Sequence, residues 1–241
     1  YVQAQVSAHL DETGWREGKK RAWLWVAVPT WVTVFVVRLS RGGAVARELL
    51  GEAFAGMLVT DRWSAYHWYP VRWRQLCWAH LLRDIEAMSG RGGPSQVIGE
   101  ALKRQAQQMF HWWHRVRDGT RKRSSFRSYR SPVRREVERL LEAGSMCGVP
   151  KTEGMCREIL KRRQGLWTFV HLEGGEPTNN TAERAIRPGV LGRKGSCGTH
   201  SAQGSRFVES MMTVVATLLQ QQRNVLDSLT SACEAARRDE P

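Results

Sequence analysis

Two apolar runs that each end on an aspartate do most to limit what this chain can fold into. From Val6 to Asp11 the residues alternate, with Val6, Ala8 and Leu10 on one face and Ser7, His9 and Asp11 on the other, as in a half-buried strand. Asp11 is expected near that strand's end. A second run, Met57 to Val59, is short and delivers Asp61. Between them, Ala22 to Val28 and Val32 to Val37 are rich in β-branched and aromatic residues around Pro29 and Thr30, and read as a hairpin following a turn over Gly14 to Lys20. Val45, Leu49 and Ala53 recur at helical spacing, Gly56 breaks that pattern, and Gln75 to Cys77 forms a candidate fifth strand. The order strand, strand, strand, helix, strand, turn, strand predicts an α/β fold whose first and fourth strands both end in a carboxylate. Ligands of open α/β sheets collect at strand carboxyl ends, where adjacent loops leave a crevice. Two acids placed there can converge.

The chain then changes character. Residues 79–175 read as helical and basic, broken by the loop SGRGGPS and by an Arg/Ser-rich run from Thr120 to Arg130, which is expected to be a flexible arm or a loop. Ser131 followed by Pro132 predicts an N-cap with proline at the first helical position, and Val133, Val137, Leu140 and Leu141 mark the apolar face of the helix that follows. Basic residues outnumber acidic ones by 37 to 23 over the 241 residues, for a net charge of +14, and the excess is concentrated between Lys103 and Arg135. Such a balance attracts polyanions, with a merely solvated basic surface as the alternative. The five cysteines are odd in number and scattered, which favours a reducing compartment. No stretch has the length of a membrane span. The expected location is cytoplasmic, in association with the nucleoid. The chain opens on Tyr1 and enters a strand pattern almost at once, as a piece of a longer protein would.

After Pro177, Asn179 or Asn180 is placed to cap a helix carrying Glu183 in its first turn or so, limited or kinked by Pro188. Phe207, Met211, Val214 and Leu218 follow the spacing of a long, core-facing amphipathic helix, and Asn224 starts a last one. The expected organisation is a core, first part, over 1–78, a helical basic insertion over 79–175, and completion of the core over 176–241.

A phosphodiester resists attack because its charge repels nucleophiles and its leaving alkoxide is poor. Two divalent cations about 3.5 to 4 Å apart answer both difficulties, and Mg²⁺ prefers a few carboxylate oxygens with retained waters. Asp11, Asp61 and Glu183 offer that donor set. Spacing alone does not separate them from solvated surface acids; the words around them do. HLDETGW, TDRWSAY, QLCWAHLLRD, EPTNNTAERAIRP, RKGSCGTHSAQGSRF and QQQRNVLD, in this order, resemble the transposases of the insertion sequence 66 family, and the resemblance runs from near Val6 to near Cys233.

That resemblance implies a ribonuclease H-like catalytic domain of the DDE type: a mixed five-stranded sheet with flanking helices and a large basic helical insertion before the last catalytic helix. It implies Asp11, Asp61 and Glu183 as the catalytic, metal-binding triad, two Mg²⁺ or Mn²⁺ ions as cofactors, and DNA cleavage followed by 3′-hydroxyl strand transfer. The alternatives are a truncated DNA-binding remnant and a nuclease that cuts without joining. The implied partners are double-stranded DNA at element ends and target, further copies of the chain, and accessory proteins of the same element. Glu12 competes with Asp11, but adjacent strand residues point to opposite faces; Asp84 and Glu176 are read as structural or solvated. Arg184, Arg187, Arg193, Lys194 and Arg206 surround Glu183 and suit phosphate contacts. Trp15 and Trp63 flank the triad and are candidates for base stacking, whereas Trp23, Trp25 and Trp167 are expected in the core. Cys77 and His80 form a CxxH pair without a matching second pair, so packing is expected there rather than structural zinc.

Overall fold

The computed structural model of the protein describes residues 2–238. Its contacts divide the chain into two compact units, one running to Trp68 and resuming at Asn179, the other spanning Tyr69–Thr178. Among the described residues there are five strands and eight α-helices, an α/β composition as predicted.

In the first unit, β1 (Ser7–Glu17), β2 (Lys20–Pro29), β3 (Val34–Arg38) and β4 (Met57–Thr60) form a mixed sheet in the order β3-β2-β1-β4. β1 pairs antiparallel with β2 from Ala8↔Pro29 to Glu17↔Lys20, and parallel with β4 from Ser7↔Met57 to His9↔Val59. The segment expected to be a turn over Gly14 to Lys20 is therefore mostly strand. Only Gly18 and Lys19 turn, with Gly18 in the left-handed region at φ 58°. Extension of β1 also corrects the place of Asp11, which lies mid-strand rather than near the end. What ends near Asp11 is β1's parallel neighbour: β4 stops at Thr60, leaving Asp61 just beyond it.

One face of the sheet carries Trp15, Ala22, Leu24, Val26, Val28, Phe35 and Val37, covered by Ala182 and Ile186 of α6 (Asn180–Ser196) and by Val208, Met212 and Ala216 of α7 (Ala202–Gln220). On the opposite face Trp25 meets Tyr66 edge-on, with ring centroids 6.3 Å apart. The helix α1 (Gly43–Leu50) buries Val45, Ala46, Leu49 and Leu50.

The expectation that Phe207, Met211, Val214 and Leu218 form the buried stripe of α7 fails. Phe207 and Val214 are exposed, and of the four only Leu218 is buried. The helix is rotated by a polar task. Glu209, Thr213 and Thr217, spaced by four, accept the backbone N–H groups of Val37, Phe35 and Thr33. They satisfy the open edge of β3, which otherwise would present unpaired donors. Satisfying that edge brings Val208 and Met212 to the core instead. Pro188 does not end α6, which continues to Ser196. The last helix, α8 (Val225–Arg237), starts at Asn224 as expected, its side chain accepting from the Asp227 N–H at 3.2 Å.

In the second unit, β5 (Arg74–Leu76) leads into α2 (Trp78–Ser89), α3 (Gly93–Arg117), α4 (Arg123–Gly144) and α5 (Pro150–Leu160), and each helix packs on the next. Trp78 against Trp167, and Trp113 and Phe126 against Phe169, form its aromatic core. The Ser131–Pro132 start is overturned. α4 begins nine residues earlier and carries Pro132 in its interior, so most of the expected arm is helix. Burial of Phe126, in register with Val133 and Val137, supplies the apolar contact that extends the helix backwards.

Candidate active site

Strand alternation decides what Asp11 and Glu12 face. Asp11 pairs with Val26, whose side chain belongs to the face covered by α6 and α7, while Glu12 pairs with Trp25 on the other face. Glu12 is almost fully buried there, its carboxylate bonded to Arg41 at 2.9 Å and accepting from the Tyr66 hydroxyl. Arg41 in turn lies over the rings of Trp23 and Trp63, at 4.8 and 4.1 Å from their centroids. The motif signal for this network was in view, since Glu12 and Tyr66 both lie inside quoted family words, but Arg41 belongs to none of them.

Asp61 follows β4 directly, and its carboxylate accepts from the Trp63 N–H at 2.8 Å. Glu183 lies in the first turn of α6, where the helix's free N–H groups favour an anion. The two acids act on Asp11 from separate elements. Burial first, then the charge of Glu12, raises the Asp11 carboxyl to about 7; the charges of Asp61 and Glu183 push the same way, and the hydrogen bond from the Glu12 N–H partly offsets them. Burial likewise raises Glu12, against the hydrogen bond from Tyr66.

Beyond the apolar packing of Ala182 and Ile186, polar contacts at both ends tie α6 to β1. At its start, Asn179 is buried and its side chain does not cap the helix as expected; it reaches His9 Nδ1 at 3.2 Å and donates to the Leu10 carbonyl at 2.7 Å. Near its end, Arg193 donates to Thr13 Oγ1 and to the Gly14 carbonyl. Arg184, Arg187, Lys194 and Arg206 are exposed. Trp63 is 39% exposed, whereas Trp15 is buried with its Nε1 donating to Thr199 Oγ1 at 3.3 Å, which removes it as a stacking platform. Trp25 and Trp167 are in the core as expected, while Trp23 is only half-buried between the guanidinium groups of Arg21 and Arg41. In the second unit, Cys77 occupies the N-cap position of α2 and His80 its first turn, with Sγ and a ring nitrogen within 4.8 Å of each other.

A sheet that gathers acids from β1, the end of β4 and the start of α6 has the make-up of a site for hard divalent cations, which take oxygen ligands. The chain belongs to the DDE transposases of the family described as Transposase IS66 family, which it matches over residues 1–206. It is also similar to the "Uncharacterized protein y4qI" of Sinorhizobium fredii (strain NBRC 101917 / NGR234), 32% identical over 196 residues that cover 73% of this chain and 34% of that protein. The chain thus spans about a third of the length of that relative. No solved structure matches it. Among the described residues, no helix is long and apolar enough to cross a membrane.

Proposed function

We propose that this chain is the catalytic part of a transposase, on a ribonuclease H-like fold, that cuts DNA strands and joins a freed 3′ hydroxyl to target DNA. The observation that carries this reading is the placement of three acids on adjoining elements: Asp11 on β1, Asp61 just beyond its parallel neighbour β4, and Glu183 in the first turn of α6, whose preceding Asn179 is bonded to the Leu10 carbonyl of β1. The donor set fits Mg²⁺ or Mn²⁺: every ligand on offer is a carboxylate oxygen, and their mutual repulsion is relieved by positive charge. Asp11, Asp61 and Glu183 would hold the ions, which when bound supply Lewis-acid activation of the attacking oxygen and stabilise the leaving one.

The chain's own residues prepare this site. Burial, and after it the charges of its neighbours, keep a proton on Asp11 up to about pH 7, and bound positive charge would displace it. Glu12, fixed by Arg41 and Tyr66, is kept on the opposite face and lends charge without competing as a ligand. Arg184, Arg187, Lys194 and Arg206 are exposed and suited to meet phosphates, and the partly exposed Trp63, with Arg41 over one face of its ring, stands beside Asp61. Pairing of two element ends calls for further copies of the chain.

The experiment compares wild type and Asp11→Ala on labelled element-end DNA with Mg²⁺ and a target plasmid. Wild type is expected to give both nicked and joined products, and the variant neither. Equal activity of the two proteins overturns the assignment. Nicking without joined products reassigns the chain as a nuclease.

A further inference from the structure

One face of α4 carries a cationic stripe that the proposed catalytic site does not use. Arg123, Arg127, Arg130 and Arg134 are spaced i, i+4, i+7 and i+11, so they lie along a single line about 16 Å long. His171 stands opposite, with Arg130 Nη1 2.8 Å from its Nε2 and Arg127 Nη2 3.4 Å from its carbonyl oxygen. The acids within reach are few. Arg134 pairs with Glu138 at 2.8 Å, and the charge of Glu173 acts on Arg123, whose own donors go to the carbonyls of Phe169 and Gly175. Among the described residues, Arg127 and Arg130 make no ion pair, and Arg130 Nε is buried without a hydrogen-bond partner.

Elsewhere in the same unit several arginines are matched, Arg139 with Glu136, Arg157 with Glu153 and Arg162 with Glu158. The stripe is different in kind. Burial first, then the charges of Arg134 and Arg127, hold the Arg130 guanidinium below its ordinary range; burial and the charges of Arg130, Arg127 and Arg134 lower His171, whose ring nitrogen accepts from Arg130. A line of mutually repelling guanidinium groups, one with an orphan donor, lacks an anion of matching extent.

We propose that the α4 stripe, centred on Arg127, Arg130 and Arg134 with His171 beside them, is a second DNA-binding surface that takes the phosphate backbone of a duplex. The proposal rests on the transposase reading for the choice of DNA as the polyanion. Duplex is favoured over single strand because the nearby aromatic faces are already taken. Trp112 and Tyr129 stack on each other at 4.3 Å with Arg121 beside both rings, so each gives one face to the other rather than to an unpaired base.

The test is the salt dependence of binding to a random-sequence 30-base-pair duplex, read by fluorescence anisotropy without divalent metal. Each phosphate contact adds about 0.9 to the slope of log K against log salt. The triple variant Arg127→Gln, Arg130→Gln, Arg134→Gln is expected to lose about 2 to 3 from that slope. A control that removes the same charge from paired positions, Arg139→Gln, Arg157→Gln, Arg162→Gln, is expected to leave it within about 0.5. Should the triple variant lose its helical circular dichroism, the exposed Arg127→Gln alone is expected to cost about 0.9. An unchanged slope, or an equal loss in the control, overturns the site. Because catalysis is not read, a chain that fails the Asp11 experiment still reports on the stripe, and the two failures stay distinct.

Discussion

His9 and Asn179, far apart in sequence, meet where β1 lies against the start of α6, with His9 Nδ1 3.2 Å from the Asn179 side-chain oxygen. The amide oxygen accepts, so the imidazole must carry its proton on Nδ1. Burial, reinforced by the charge of Arg184, lowers this histidine to about 4 and keeps it neutral. The same amide donates to the Leu10 carbonyl, so one side chain fixes the residue before Asp11 to the turn that carries Glu183.

Asn179→Ala is therefore expected to destabilise the protein by roughly 1–3 kcal/mol, through the loss of two buried hydrogen bonds and the orphaned His9 donor. The urea midpoint reads this directly. Divalent-ion affinity, followed by the rise in melting temperature with Mn²⁺, is expected to fall as well. A loss of stability with unchanged ion affinity would separate the contact from the site.

Glu12→Gln distinguishes the two neighbouring acids of β1. Glutamine keeps a hydrogen bond with Tyr66 but loses the charge facing Arg41, so the expected cost is roughly 1–2 kcal/mol of stability. Cleavage of element-end DNA is expected to stay within about tenfold of wild type, whereas Asp11→Asn is expected to abolish it. Abolition by both variants in folded protein would place Glu12 among the ligands.

A stability profile against pH, taken in EDTA, reads the crowding of the acids. The folded protein holds the Asp11 proton more tightly than the unfolded chain does, whose aspartate titrates near 3.8. The stability from this group is complete below that value and is lost as pH rises through about 7. Asp11→Asn is expected to remove that decline and to exceed wild type at pH 8 by on the order of 1–3 kcal/mol. Added Mn²⁺ is expected to stabilise wild type and not the variant. A wild-type profile flat between pH 4 and 8 would contradict the burial of this carboxyl.

Much of the arrangement was legible because it is written in local periods. The hairpin β2–β3, the run ending at Asp61 and the α6 start at Asn179–Glu183 follow from alternation, short apolar runs and a polar residue before a helix. What was not legible depended on partners distant in sequence. The polar stripe of α7 answers donors on β3, so the apolar positions read as core were displaced by one residue. Arg41 stands in a loop without periodicity, and only the fold brings it to Glu12. The backward extension of α4 through an Arg/Ser-rich stretch rests on Phe126 finding Phe169 and Trp113, a tertiary contact that overrides a weak local propensity.

The RKGSCGTHSAQGSRF word has a structural reason as well as a family one. After α6 the chain turns through Cys197 and Gly198, at φ 59° and 114°, and Thr199 forms a parallel bridge with Glu17 at the end of β1. The Thr199 N–H donates to the Arg16 carbonyl at 2.9 Å and the Gly18 N–H to the Thr199 carbonyl at 2.7 Å. A Cβ on Gly198 would lie 2.4 Å from the Arg16 carbonyl oxygen, a backbone atom that cannot step aside without breaking the bridge. Gly198→Ala is expected to cost roughly 2–4 kcal/mol, the sum of a strained backbone and a displaced strand end. Gly195→Ala, three residues earlier in α6 and facing open space, is expected to be neutral or to stabilise by up to about 1 kcal/mol. Urea midpoints of the two variants check both signs, and equal effects would show that the bridge does not constrain the end of β1.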